Sequence, residues 1–187
     1  LCTRRSKLDY HGFSIDVGDI VSVEAVDYKN KRAVIFNVEP RISFLKRPAV
    51  ANVSLIAICI SVEEPIFDSE QTSRFLITAE SVNIKPLVIL TKVDLIKKNN
   101  LNIYRDKLKL WGYDSLPVSI KNTKGIDILI ERFRQTKLTV LAGPSGVGKT
   151  SLINYLIPSL SLATSSVSKK LRRGKHTTRH VEIFPIG

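Results

Sequence analysis

The octet Gly143-Pro144-Ser145-Gly146-Val147-Gly148-Lys149-Thr150 satisfies G-x-x-x-x-G-K-[ST] in full, and it stands between an apolar run at 138–142 and a helical pattern from Lys149 to about Leu156. Few folds accept that arrangement. Glycines let the backbone curl until successive N–H groups face one anion, and the helix that follows adds the partial positive charge of its N-terminus. Gly143 to Ser151 therefore form a candidate phosphate cradle, in which Lys149 reaches the outer phosphates and the Thr150 hydroxyl ligates Mg²⁺. A glycine-rich turn that matches by chance is the alternative, and the flanking strand and helix weigh against it. The position is unusual: 142 residues of a 187-residue chain precede the loop.

Those preceding residues alternate between strand and helix patterns. Val53 to Ser61 reads as a buried strand, Asp68-Ser69-Glu70-Gln71 as a capping box, and Phe75, Leu76, Ala79 and Val82 follow at helical spacing. A second strand is expected at Leu87 to Leu90, a polar helix from about Leu101 to Trp111, and a third strand at Pro117 to Ile120. Ile126, Leu129, Ile130 and Phe133 mark a last amphipathic helix before the strand that feeds the loop. This order predicts an α/β domain on a mainly parallel sheet with flanking helices. Residues 1–47 read differently, as β-branched runs at Ile20 to Val26 and Ala33 to Val38 around the turn-like Tyr28-Lys29-Asn30-Lys31. They predict part of a small β-barrel, with Lys46-Arg47-Pro48 as the linker to a second domain at 48–187.

Charge narrows the choice of partner. Twenty-nine Lys and Arg against seventeen Asp and Glu leave a net charge of +12, which favours a polyanion, because neutralising phosphates releases counterions. A merely soluble basic surface is the plainer alternative. Cys2 and Cys59 form neither a disulfide framework nor a zinc-binding spacing, and Cys59 falls within an apolar run expected in the core. The longest such run is strand-length, far too short to span a bilayer, so no membrane partner is expected. The chain contains no Met, even at position 1, which points to a segment of a longer chain.

Three further motifs could complete a nucleotide site. Thr91-Lys92-Val93-Asp94 follows an apolar strand, and a carboxylate there can accept from guanine N1–H and its exocyclic amine, donors that adenine lacks in that geometry. The Lys92 stem can pack along the base. Taken alone, T-K-x-D is weak. Ser119-Ile120-Lys121 could offer backbone N–H groups to guanine O6, though by itself it carries little information. In Arg172-Arg173-Gly174-Lys175-His176-Thr177-Thr178-Arg179-His180, threonines could complete Mg²⁺ coordination and His176 could position a water. A solvated basic loop or an RNA-contacting strip are the other readings.

The order of these motifs is rotated relative to ordinary GTPases, in which the phosphate loop comes first and N-K-x-D and S-A-K come last. The chain thus resembles a circularly permuted GTPase, a rearrangement possible because domain termini often lie close together. More narrowly it resembles the ribosome small-subunit-dependent GTPase A family, through "VGD", "KRPAVANVS", "EPIFDSEQTSRFLITAE", "TKVDLI", "GPSGVGKTSLIN" and "RRGKHTTRHVEIFPIG".

That resemblance implies an N-terminal OB-fold that binds ribosomal RNA, partial here, then a permuted GTPase domain and a C-terminal zinc-binding domain. It implies GTP hydrolysis, stimulated by the small ribosomal subunit, in that subunit's late maturation. The implied cofactors are GTP or GDP and Mg²⁺ at Thr150 and Thr178, with Zn²⁺ only in the further domain. Carried over by position, Thr91, Lys92 and Asp94 read guanine with support from Ser119, Ile120 and Lys121. Thr177 and Thr178 become switch threonines, and His176 the switch histidine with a proposed catalytic role. A monomer in a bacterial cytoplasm, or in an organelle, is expected. Three departures stand out: Thr91 replaces the usual Asn, Ile120 the usual Ala, and no D-x-P-G or Cys/His zinc spacing occurs in the chain. Two rivals share these motifs: a GTPase with another RNA or protein partner, and a nucleotide-gated RNA-binding module with little hydrolysis.

Overall fold

The computed structural model describes residues 2–4, 14–162 and 183–186. His176, Thr177 and Thr178 lie outside the described residues. The described residues divide into two compact units, the first made of 2–4, 14–53 and 183–184 and the second of 54–162 and 185–186.

In the first unit β1 (Cys2–Arg4), β2 (Val21–Asp27) and β3 (Arg32–Val38) form a three-stranded sheet in the order β1-β3-β2. The expected hairpin is present. Asp27 accepts from the Asn30 backbone N–H at 3.0 Å and from its side-chain amide at 2.7 Å, which closes the turn between β2 and β3. Asp19 is the unit's anchored charge. Burial pushes its carboxyl up, but hydrogen bonds from Arg41 at 2.7 Å, the Asp16 backbone N–H at 2.8 Å and the Arg41 charge together outweigh that and hold it below the usual range.

Lys46-Arg47-Pro48 is not a linker. β4 (Phe44–Lys46) and β5 (Ala49–Ala51) pair antiparallel across it, Lys46 opposite Ala49, so Arg47-Pro48 is the turn of a hairpin. Proline lacks a donor, which a turn does not need, and so it marks a turn here as readily as a boundary.

The second unit is built on four parallel strands in the order β8-β7-β6-β9: β6 (Leu55–Ser61), β7 (Leu87–Thr91), β8 (Ser115–Pro117) and β9 (Thr139–Ala142). β6 and β7 are buried on both faces, which is why they read as continuous apolar runs rather than alternating ones. Ala57, Cys59 and Ile89 face a cluster completed by Ile126, Leu129, Phe133 and Leu152. The alternate residues Ile56, Ile58, Ile60, Val88 and Leu90 are buried on the opposite face.

Helices α1 (Ser69–Glu80), α2 (Lys98–Leu110), α3 (Ile126–Arg134) and α4 (Lys149–Leu156) connect or follow the strands. Asp68 caps α1 as its sequence requires, its carboxylate accepting from the backbone N–H of Glu70 at 2.9 Å and Gln71 at 3.0 Å. The third strand differs from expectation. It covers Ser115–Pro117 and stops where Pro117 pairs with Leu90, so Ser119-Ile120-Lys121 belongs to the loop beyond it. The returning loop packs tightly on the strand's end at Gly125. A Cβ there would lie 2.2 Å from the Pro117 carbonyl oxygen, and the Ser119 N–H donates to the Lys124 carbonyl at 3.0 Å rather than to a neighbouring strand.

Candidate nucleotide site

All the sequence motifs within the second unit's described residues fall at the carboxyl ends of parallel strands, the edge where open α/β sheets bind ligands. Thr91 ends β7 and Lys92 to Asp94 follow it, Ser119 to Lys121 follow β8, and Gly143 to Gly148 join β9 to α4.

The phosphate loop is shaped by clearance. Gly143 has φ +136°, and a Cβ on it would lie 2.1 Å from the carbonyl oxygen of Cys59 in the neighbouring strand. Only glycine lets the loop leave β9 that close to β6. Gly146 and Gly148 also have positive φ, at +82° and +94°. Val147 is 1% exposed and reaches down into the cluster around Cys59, so the loop is pinned from beneath. Gly148 opens α4 without a side-chain cap, and no acidic residue occupies the first turn. The leading N–H groups and the helix dipole are thus left to favour an anion.

Lys149 Nζ donates to the carbonyls of Gly143 at 2.8 Å and Pro144 at 2.5 Å. Its ammonium therefore sits over the mouth of the loop. Burial lowers its pKa, with a partial offset from Cys59, and burial pushes the Cys59 thiol up to about 12. A desolvated cation held only by carbonyl oxygens is strongly favoured to gain an anionic partner. The loop, the uncapped helix start and this lysine together fit a polyphosphate. Thr150 and Ser151 stand half-buried in the first turn of α4. The described residues contain no group of three or more His, Cys, Asp or Glu able to hold a metal.

The base-reading side is joined by side chains. Thr91 is buried at 6% exposure, and its hydroxyl lies 2.7 Å from the Val147 carbonyl and 3.2 Å from that of Ile60. This is the contact that couples the two motifs: the residue at the end of β7 holds the phosphate loop in place. A hydroxyl therefore makes the brace at the position where the usual residue is Asn. Lys92 then takes a left-handed φ of +56°, and its Nζ donates to the Glu64 carbonyl. Asp94 accepts from the Ser119 hydroxyl at 2.6 Å, and the Lys121 N–H donates to the same hydroxyl oxygen at 3.2 Å. Ser119 is 1% exposed, so the carboxylate is fixed from behind. Its remaining acceptor positions can take paired N–H donors such as those of guanine. Ile120 is 38% exposed, so its side chain is not part of the packed core.

Two participants went unnoticed in the sequence. The turn after β6 supplies the Glu64 carbonyl that holds Lys92 and sets Pro65 beside Gly146, where a Cβ would meet the proline ring at 3.6 Å. Cys59 supplies the carbonyl against which Gly143 is packed. Both act through backbone, and no residue type signals that. Gly125 had a legible sign in its place between a polar loop and an apolar helix pattern.

Comparison with known proteins agrees with this geometry. A family model described as RsgA GTPase matches residues 38–187. A curated protein named Small ribosomal subunit biogenesis GTPase RsgA, from Prochlorococcus marinus (strain NATL1A), is 74% identical over 187 residues, which is 100% of this chain and 60% of that protein. Its namesake from Synechococcus sp. (strain CC9605) is 52% identical over 187 residues, covering 100% of this chain and 62% of the relative. The crystal structure of YjeQ from Thermotoga maritima superposes with a TM-score of 0.76 at 30% identity, covering 88% of this chain and 59% of that one. That of YloQ, described as a circularly permuted GTPase, gives 0.69 at 30% identity, covering 84% and 55%. The chain thus spans about 60% of the length of the curated relatives it matches.

Proposed function

This chain belongs to the RsgA GTPase family and has its circularly permuted GTPase fold, and we propose on that basis that it binds and hydrolyses GTP in the biogenesis of the small ribosomal subunit. The observation that carries the proposal is the Thr91 hydroxyl on the Val147 carbonyl. It makes a guanine-reading carboxylate and a phosphate loop into one site of fixed separation, as a guanine nucleotide requires.

In this reading Asp94 pairs with guanine N1–H and the exocyclic amine, Ser119 keeps the carboxylate aimed, and the Lys121 backbone borders O6. Gly143 to Gly148 wrap the phosphates, and Lys149 exchanges loop carbonyls for phosphate oxygens. Thr150 would hold Mg²⁺, which when bound neutralises charge developing on the outer phosphates. Thr178, with Thr177, would add the switch contact and His176 would orient the attacking water, as carried over from the family's motif. Hydrolysis then depends on positioning and charge stabilisation with no covalent intermediate.

The partner proposed is the small subunit and its ribosomal RNA, in the cytoplasm where ribosomes assemble, met by a monomer whose net charge is +12. Residues 1–53 would be the OB-fold portion in contact with RNA, and residues from 54 the GTPase domain. No helix among the described residues is long and apolar enough to cross a membrane. Zinc is reserved for the family's further domain. The test is GTP turnover by the full chain with and without purified small subunits. The expected result is a rise on adding subunits. GTP binding with turnover that stays flat would favour a nucleotide-gated RNA-binding module instead.

A further inference from the structure

The turn after β6 meets both halves of the nucleotide site, largely through main-chain atoms. Ser61, 2% exposed, donates its hydroxyl to the Glu63 carbonyl. The next carbonyl, that of Glu64, accepts from Lys92 Nζ. Pro65 then lies beside the phosphate loop, where a Cβ on Gly146 would be 3.6 Å from its ring. Glu64 takes φ +50°, a left-handed conformation that is costly for a residue with a side chain and that the surroundings must therefore impose. Packing of its own side chain does not impose it, because Glu64 is exposed. What the conformation secures is the direction of the carbonyl, toward Lys92.

Lys92 has its own left-handed φ of +56°, and its stem is the one expected to lie along the base. Its ammonium rests on a neutral main-chain oxygen although Glu63 and Glu64 bring two carboxylates into the same turn. Among the described residues Lys92 forms no ion pair. A four-carbon stem with a free tip samples many rotamers, and tying the tip removes that entropy before a ligand arrives. A carbonyl does this without neutralising the ammonium, which stays available to the face of a purine. Resting on the guanine-nucleotide reading above, we propose that Glu64 is a positioning residue for that nucleotide: its left-handed backbone aims the carbonyl that holds the Lys92 stem as a wall for the base. A wall of this kind serves any purine alike, so discrimination stays with Asp94.

Two substitutions at this exposed position separate backbone from side chain. A β-branched residue resists φ near +50°, so Glu64→Val swings the carbonyl away, whereas Glu64→Gly keeps the conformation and removes only the carboxylate. Affinity of the full chain for a fluorescent GTP analogue should fall about tenfold in Glu64→Val, the scale of one hydrogen bond to a charged group. It should stay close to the parent value in Glu64→Gly, and the ratio of GTP to XTP affinity should be unchanged in both. In Lys92→Met, which keeps most of the stem and loses the ammonium, adding Glu64→Val should cause no further loss. A turn that merely supported the fold would weaken binding in both backgrounds, and that result overturns the proposal. Parent affinity in Glu64→Val overturns it as well, and so does an equal loss in Glu64→Gly, which assigns the effect to the carboxylate. If Glu64→Val is silent while Asp94→Asn still turns preference toward XTP, the guanine reading stands without Glu64. A parent chain that binds no GTP analogue removes both.

Discussion

The two halves of the nucleotide site are built on different principles. The phosphate loop is made of backbone: a glycine against the Cys59 carbonyl, an uncapped helix start, and a lysine on main-chain oxygens. The half proposed to read the base is made of side chains bonded to one another or to backbone, Thr91 to Val147 and Ser119 to Asp94. A backbone-built site should be intolerant of added atoms and indifferent to most side-chain chemistry. A site built from side chains should lose specificity in graded steps as single hydrogen bonds are removed. Gly125 qualifies the contrast, since it brings the same steric demand to the base-reading side.

The most severe test of this contrast is Gly143→Ala. A Cβ placed 2.1 Å from a backbone oxygen cannot be absorbed by a rotamer change. Urea unfolding should show a loss of about 3 kcal/mol, with nucleotide binding abolished. Asp94→Asn should instead leave the unfolding midpoint nearly unchanged, while the ratio of GTP to XTP affinity swings by on the order of 10⁴-fold; a uniform loss for both nucleotides would deny Asp94 its reading role. Thr91→Val removes the link between the halves. It should weaken GTP and XTP alike by about tenfold, the worth of a buried hydrogen bond left unmade. Thr91→Asn, whose amide also reaches a loop carbonyl, should recover most of that loss in the same titration.

The smallest expected effect is on pH dependence. Burial lowers the Lys149 pKa from 10.5. Between that lowered value and 10.5 the unfolded chain holds more protons on this lysine than the folded one does, so its penalty on stability relaxes as pH rises through the window. Nucleotide affinity should move the other way, beginning to fall below the ordinary lysine range as the ammonium is lost. Titrations from neutral pH upward, with Lys149→Arg as the reference that keeps its charge, would read both slopes.

Much of the second unit was legible because its signals are local. A carboxylate cap at Asp68, apolar runs buried on both faces and the glycine-lysine loop each announce themselves within a few residues. The Arg47-Pro48 hairpin was misjudged because proline marks both turns and boundaries. The end of β8 is hard to read because Val118 and Ile120 are β-branched and prolong the strand pattern past Pro117, while the Ser119 N–H turns to the Lys124 carbonyl. Least legible were the backbone partners at Cys59 and Glu64. Every residue carries a carbonyl, so its role appears only once another element is laid against it.

The sheet order gives the permutation a direction in time. β6, β7 and β8 are synthesised in succession and neighbour one another in that order, while β9 joins last, on the free flank of β6. Cys59, whose carbonyl limits the phosphate loop, is therefore synthesised before the loop. The phosphate loop can take its shape only once β9 has paired with β6, so the latest of these four strands is the one that completes the proposed nucleotide site.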